Sequence, residues 1–549
     1  MSPKGDPVFS LGINCIGKGG GPHDKKDKGW HYRFTDHYPS VDAWTDDTIR
    51  RMREWKFNTV GSWSDDEVSK GQFPRTPVLL LGSSLGIPWV DFFSEAIEAE
   101  CGRLAKAMVE LHKDDPNIVG WFTDNELGWY IETKFVFFID SPVENETRKR
   151  LIAFLTERYR GDFGALVKDF VPIRAENFDE LAAGGSLRLR PSSKGRETMH
   201  AFGKIIAERY YQIVRDVIRR YDANHLILGD RYAGYYPICV AEAAKDYVDV
   251  ISTNASFADN SDGEMPPFYL DTLHRITKKP IIISEYYAAA MENQSGNKNS
   301  STNAFAVVKT QQERAAMTER TLTYLASLPY MVGAHWFQFV DEPPKGRADG
   351  EDFNFGLVDI YNKPYDLLTK TITKVHERVP DIHRDAYTVK KPVPVSDIKI
   401  PKASLGASDG LAGWTKGGAY IPYTSETSFA DLYACETEEG VALMLRADDY
   451  MDASIYEDKK LPVSDFMTWT FSFGRGVSPV AIRFAAGSRA TVNDERVRLI
   501  HNDKGLRQIV IAVVPLEAIK SDRPVAFTCS AKGYAGYMTT TWEATLHRG

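Results

Sequence analysis

IVGWFTDNELGW, residues 118–129, runs from an apolar segment straight into three polar residues and a Gly-Trp turn. A run such as Ile118-Val119-Gly120-Trp121-Phe122, apolar on both faces, suits a parallel strand covered on both sides. Asp124-Asn125-Glu126 then falls where that strand ends. In a parallel barrel the working side chains stand at the C-terminal ends of strands. The fold therefore turns on whether the chain supplies seven more strands of this kind.

Short apolar runs alternate with longer helical patterns from residue 8 to about residue 380. Strands are expected at 8–14, 57–63, 78–81, 118–123, 226–230, 248–254, 281–285 and 331–337. Helices are expected between them, as over 92–113, where Ile97, Cys101, Leu104, Met108 and Leu111 recur at three- and four-residue steps. The pattern predicts an α/β protein with a (β/α)8 TIM barrel over 1–385. A barrel takes about 250 residues, and the excess lies between the fourth and fifth strands, at 130–224. That stretch predicts a helical insertion with a long helix over 196–220.

The pattern changes past Pro380. A linker is expected over 386–400, around Lys390-Lys391-Pro392-Val393-Pro394. Short alternating runs at 441–446, 467–473, 508–514, 525–529 and 539–546 then predict an all-β sandwich over 401–549. Two domains suit a length of 549 residues. Trp414, Tyr420, Tyr423, Trp469 and Trp542 could serve a sugar, but a structural sandwich is the expectation.

Composition narrows the function. A net charge of −8 without a dense Lys/Arg block argues against a nucleic-acid partner, and Lys25-Lys26 and Lys459-Lys460 are isolated surface pairs. No run approaches 18 consecutive apolar residues, so no membrane span is expected. The opening MSPKGDPVF has no basic-then-apolar leader. The compartment stays open: periplasmic or extracellular if a leader has been removed, otherwise cytoplasmic. Five scattered cysteines without CxxC predict neither a disulfide framework nor a zinc site. HxH, HExxH and GxSxG are absent, and SLGINCIGKGGG (10–21) lacks phosphate-loop spacing. No metal or cofactor is expected, and the oligomeric state stays open. Aromatics at 12% of the chain suit a carbohydrate cleft, where sugar C–H faces stack on rings.

The expected strand ends carry Asn14, Trp63, Asp124-Asn125-Glu126, Asp230-Arg231, Asn254, Ser284-Glu285 and His335-Trp336. Glu126 and Glu285 end the fourth and seventh strands, roughly opposite staves. Glycoside hydrolysis needs such a pair, and in retaining enzymes the carboxyls lie about 5–5.5 Å apart. Asn145-Glu146 repeats the dipeptide inside a charged stretch and reads as surface. Asn293 to Ser301, all polar or Gly, predicts a mobile loop on the cleft rim.

Five stretches, in order, resemble the family 50 agarases of the retaining clan-A glycoside hydrolases: GWFTDNELGW (120–129), HLILGDRYA (225–233), VDVISTN (248–254), IIISEYY (281–287) and VGAHWFQFVDEPPKGRADGEDFNFGLVD (332–359). The resemblance covers about residues 8–380. It implies a β-galactosidic linkage in an algal galactan, cleaved by double displacement. Those agarases usually carry a β-sandwich before the barrel, whereas here the sandwich is expected after it. Glu126 is expected as the general acid and then base, its pKa raised by burial or by its partner's charge. Glu285 is expected as the ionised nucleophile. By resemblance, Asn125 would hold the hydroxyl beside the anomeric carbon. Trp336 is expected as the sugar platform, with Asn14 and Trp63 in the cleft. Asp230, Arg231, Asn254, Tyr286 and His335 are expected hydroxyl binders, and Asp341, Glu342 and Arg347 form either a cleft cluster or a surface one. The alternatives are an exo-acting β-galactosidase on small oligosaccharides and a carbohydrate-binding protein without turnover.

Overall fold

The computed structural model describes residues 8–19, 31–69, 73–87, 89–255, 265–301, 305–388, 397–403, 418–474, 477–519 and 524–548. The chain is of mixed α/β class, as expected. The expected linker core at 389–396, and Trp414, lie outside the described residues.

The N-terminal strands used below are β1 (Ser10–Ile13), β2 (Thr59–Val60), β3 (Gly120–Trp121), β4 (Leu226–Ile227), β5 (Tyr232–Ala233), β6 (Ile251–Asn254), β7 (Ile281–Tyr286) and β8 (Met331–Trp336). They are shorter than the apolar runs that contain them, and every pairing among them is parallel. β1 lies between β2 and β8, and β8, β7, β6 and β5 follow in turn. From β2, isolated bridges lead through Arg75 to Ile118 and from Val78 to Phe122. β3 then pairs with β4, and the Asp249 amide donates to the Ile227 carbonyl beside β6. Following neighbours from β1 thus leads back to β1.

The insertion is helical as expected, including α1 (Ile131–Ile139) and α2 (Gly195–Tyr221). It also holds an antiparallel strand pair, Phe170–Ile173 with Ser186–Leu189, that the helical pattern did not suggest. The helix expected over 92–113 begins later, at Glu95, because Ser94 caps it by accepting from the Ala96 amide. Its last turns widen into a π-helix at Lys106–Glu110.

Two further sheets occupy residues 397–548. One has five antiparallel strands, with Gly440–Asp448 and Arg507–Pro515 at its centre. The other has six, with Val525–Lys532 between Met467–Phe473 and Thr539–Arg548, and takes in Asp397–Ile400 at one edge. Alternation in Met467–Phe473 turns Met467, Trp469, Phe471 and Phe473 inward. These share one apolar cluster with Leu443, Leu445, Val510 and Ala512 of the other sheet. Trp469 and Trp542 are fully buried.

A buried ionic network ties these sheets to the insertion. Arg196 on α2 reaches Asp449 at 2.8 Å and Glu132 on α1 at 2.7 Å, and His200 closes on Glu132 at 2.6 Å. The guanidinium also lies over the rings of Tyr534 and Tyr537. Removing one partner of such a buried pair strands a charge, at a cost of about 3–5 kcal/mol. Asp449→Ala is therefore expected to shift the denaturant midpoint strongly. Glu439→Ala, which removes the exposed Arg498–Glu439 pair, is expected to change stability by about 1 kcal/mol or less. Equal shifts in the two variants would overturn this account of the interface.

Candidate active site

Non-glycine residues rarely adopt a left-handed backbone. Cys15 (φ 54), Trp63 (φ 63), Leu80 (φ 55), Glu126 (φ 53) and Arg231 (φ 54) all do. Cys15, Trp63 and Glu126 follow β1, β2 and β3, Arg231 lies between β4 and β5, and Leu80 follows the bridged residue Val78; nine other described non-glycine residues share the conformation elsewhere. Strained positions of this kind gather at functional sites, where they aim side chains that an extended backbone could not.

The three polar residues after β3 divide their work. Asp124 turns inward and accepts from the Gly82 and Ser83 amides, both at 2.7 Å, and from the Tyr210 hydroxyl at 2.6 Å. It pins the turn after residue 81, and burial pushes its carboxyl up to about 6. Glu126 is thrown outward and exposed. Its amide donates to the Asp230 and Arg231 carbonyls, which knits the loop after β3 to the chain between β4 and β5. Asn125 lies half-buried between these two.

Asn254, at the end of β6, bonds Glu126 on one side and Ser284, the neighbour of Glu285, on the other. Its Nδ2 donates to Glu126 Oε1 at 2.8 Å and lies 3.4 Å from Asn125 Oδ1. Its Oδ1 accepts from Ser284 Oγ at 2.7 Å, one residue before Glu285, with which Asn254 is in register. Glu285 is 8% exposed and accepts from Arg231 Nη2 at 2.6 Å. Burial pushes Glu285 up to about 7, the Arg231 guanidinium pulls it down, and the charge of Glu126 adds to the rise. Burial or its partner's charge was expected to raise Glu126; Glu126 is exposed, and the buried carboxyl of the two is that of Glu285.

Several expected sugar ligands prove to be interior. Trp336 is 0% exposed, and its indole N–H donates to the Gln338 and Phe355 carbonyls, so the loop after β8 covers it. Asn14 is buried, donating to the Ser284 carbonyl and accepting from the Ser62 amide. Asp230 is filled by the Trp129 indole and the Tyr211 hydroxyl. His335 is buried against Ser10 at 2.8 Å, and burial, then Arg231, lowers it to about 3. Tyr286 is buried with its ring edge-on to Trp336. Arg231 is buried as well, with Nη2 2.6 Å from Glu285 Oε1.

Trp63 remains open, at 41% exposure, with its ring 5.6 Å from the Arg231 guanidinium. The loop after β8 brings a cluster that includes one residue not anticipated. Arg347 pairs with Glu342 at 3.2 Å and with Glu351 at 2.7 Å. Glu351 acts electrostatically on Glu285 and is itself raised first by burial, then by the charges of Asp349 and Glu126 against the pull of Arg347. The acid-rich run 349–352 was the signal that could have pointed to it. Asp341 is buried, accepting from Ser295, Tyr365 and the Gly356 amide. The 293–301 loop is not free: Ser295 bonds Asp341, Asn297 the Glu342 carbonyl, and Asn299 the Ala290 carbonyl and the Asn354 amide. Asn145 caps a helix by accepting from the Arg148 amide, and Glu146 is exposed beside Lys149, a surface dipeptide as expected.

No family model matches the chain. Beta-agarase B of Vibrio sp. (strain JT0107) is 29% identical over 399 residues, which are 68% of this chain and 39% of that protein. Beta-agarase A of the same strain is 30% identical over 369 residues, 60% of this chain and 35% of that protein. The chain is beta-agarase-like. It spans little more than a third of the length of these two relatives. Among solved structures, an exo-beta-agarase superposes with TM-score 0.55 at 25% identity, over 63% of this chain and 48% of that one. PfGH50B gives TM-score 0.60 at 20% identity, over 70% of this chain and 64% of that one, which speaks to the fold. Among the described residues no group of three or more His, Cys, Asp or Glu is placed to hold a metal ion, and no helix is long and apolar enough to cross a membrane.

Proposed function

We propose that the chain is a retaining glycoside hydrolase cleaving β-galactosidic linkages in an agarose-like galactan. The observation that carries this reading is the pair of strand-end glutamates: Asn254 holds Glu126 and also bonds Ser284, the neighbour of Glu285, while a buried arginine holds Glu285 itself. The names of the two Vibrio relatives supply the substrate class. The returning series of parallel strands is read as a (β/α)8 barrel over 1–385. The region 401–549 is read as a β-sandwich, joined by a linker over 386–400.

Glu126, open to solvent, gives its proton to the glycosidic oxygen as Glu285 attacks the anomeric carbon. The bond to the leaving sugar breaks, and a glycosyl ester forms on Glu285. Glu126, now a carboxylate, takes a proton from water, whose oxygen displaces Glu285 and restores the starting configuration. Arg231 holds Glu285 in line and favours its anion. Asn125, beside Asn254, is placed for the adjacent sugar hydroxyl, and Trp63 offers an open ring face.

The test is incubation of the protein with agarose, agarose oligosaccharides and an aryl β-galactoside, with products sized. Turnover of the aryl substrate alone would favour the small-substrate β-galactosidase, and binding without turnover the carbohydrate-binding protein. The pH dependence is a second check. The nucleophile must be ionised, so the acid limb of kcat/KM is expected to follow Glu285, with the rate falling as pH drops through about 7. Arg231→Met removes the charge that favours the anion and is expected to move this acid limb to higher pH. A limb that stays in place would dismiss Arg231 as the partner.

A further inference from the structure

Three tyrosines from separate parts of the chain meet, two of them a short way along the chain from residues of the site. Tyr130 lies four residues after Glu126 and is 41% exposed. Tyr235 lies four residues after Arg231 and is half-buried. The Glu126 amide binds the Asp230 and Arg231 carbonyls, so both tyrosines leave the site from one junction. The third, Tyr450, comes from the C-terminal sheets, just past Gly440–Asp448. Its ring centre is 4.9 Å from that of Tyr130, at 35°, and 6.3 Å from that of Tyr235, at 39°.

The arrangement is held rigidly. Gly128, at φ +62, makes the turn that lays the Tyr130 ring over it, and a side chain there would meet that ring at 3.0 Å. The Tyr450 hydroxyl is 3.1 Å from Thr133 Oγ1 on α1. The Tyr450 carbonyl accepts from Arg196 Nη2 at 3.1 Å, next to the buried Arg196–Asp449 pair. Fixed rings lose little freedom when a ligand lands on them.

We propose that Tyr130, Tyr235 and Tyr450 form an aromatic platform for a sugar unit remote from the cleaved bond, on the Glu126 side. The C-terminal sheets thereby contribute a binding residue while supplying no catalytic group. The occupant is a pyranose ring of the same oligosaccharide: Tyr130 and Tyr235 leave the backbone junction that carries Glu126 and Arg231, and rings with polar tips suit a sugar's mixed apolar and hydroxyl faces. This rests on the glycoside-hydrolase reading for its substrate.

The test is a binding series with Glu285→Gln protein and agarose oligosaccharides of two, four and six units, read by calorimetry. Affinity is expected to rise with length. Tyr130→Ala and, separately, Tyr450→Ala are expected to weaken the hexasaccharide about three- to tenfold more than the disaccharide, the scale of one lost ring contact. Tyr450→Phe keeps the ring and should restore most of the length dependence, and Tyr387→Ala, on a remote exposed helix, serves as the control. Losses equal at every length, or none in the Tyr130→Ala protein, would overturn the platform, as would an absence of binding. Binding that keeps its length dependence in a protein whose parent cleaves nothing would overturn the hydrolase reading alone.

Discussion

Glu285→Gly is expected to lower turnover of agarose oligosaccharides by about 10⁵-fold or more, the scale on which loss of a covalent nucleophile acts. The glycine leaves a space against Arg231 that a small anion can enter, since the guanidinium still favours negative charge there. Added azide is therefore expected to restore turnover of an activated aryl glycoside and to give the inverted glycosyl azide, through one displacement instead of two. Loss of the carboxylate also strands a buried guanidinium, so the variant must first be shown folded by its circular dichroism; Glu285→Gln, which keeps a hydrogen-bond acceptor, is the companion. A folded variant within tenfold of the parent would end the assignment of Glu285 as nucleophile.

What the sequence showed, and what it hid, follows from the range of the interactions involved. The strand array and the placement of Glu126 and Glu285 at strand ends rest on local apolar runs and their periodicity, and these are visible in a linear text. The inward fate of Trp336 is not local. It depends on the loop after β8 folding back so that Gln338 and Phe355 carbonyls cover its indole. Asp230 similarly reads as a strand-end acid until Trp129 and Tyr211 are seen to occupy it. The polar run 293–301 hides its partners for a related reason: Asn and Ser satisfy water and buried carbonyls equally well, and composition cannot tell which partner is present. Here residues 341–354 supply the partners. The swing of Glu126 into solvent is a backbone property, φ 53, at a residue type that seldom adopts it. No side-chain pattern announces it.

Glu126→Ala is expected to divide substrates by their leaving groups. A natural galactoside leaves as a poor alkoxide and needs the proton that Glu126 supplies, so its turnover should fall about 10²- to 10⁴-fold. An aryl glycoside with an acidic phenol needs little protonation, and formation of the glycosyl ester on Glu285 should be largely spared. The second step still lacks its base, so the ester should accumulate and become detectable by mass spectrometry as a covalent adduct. Asn254 loses its Glu126 acceptor but keeps Ser284, so the Glu285 side of the site should hold its shape. Glu146→Ala, which alters the exposed Asn-Glu at a helix start, should leave both substrates within twofold or so of the parent, as surface changes usually do. Proton NMR of the fresh product from the parent protein should show the configuration of the substrate, because two inversions at one carbon return it. An inverted first product would instead require water to attack directly, with Glu285 acting as base, and the double-displacement scheme would fall.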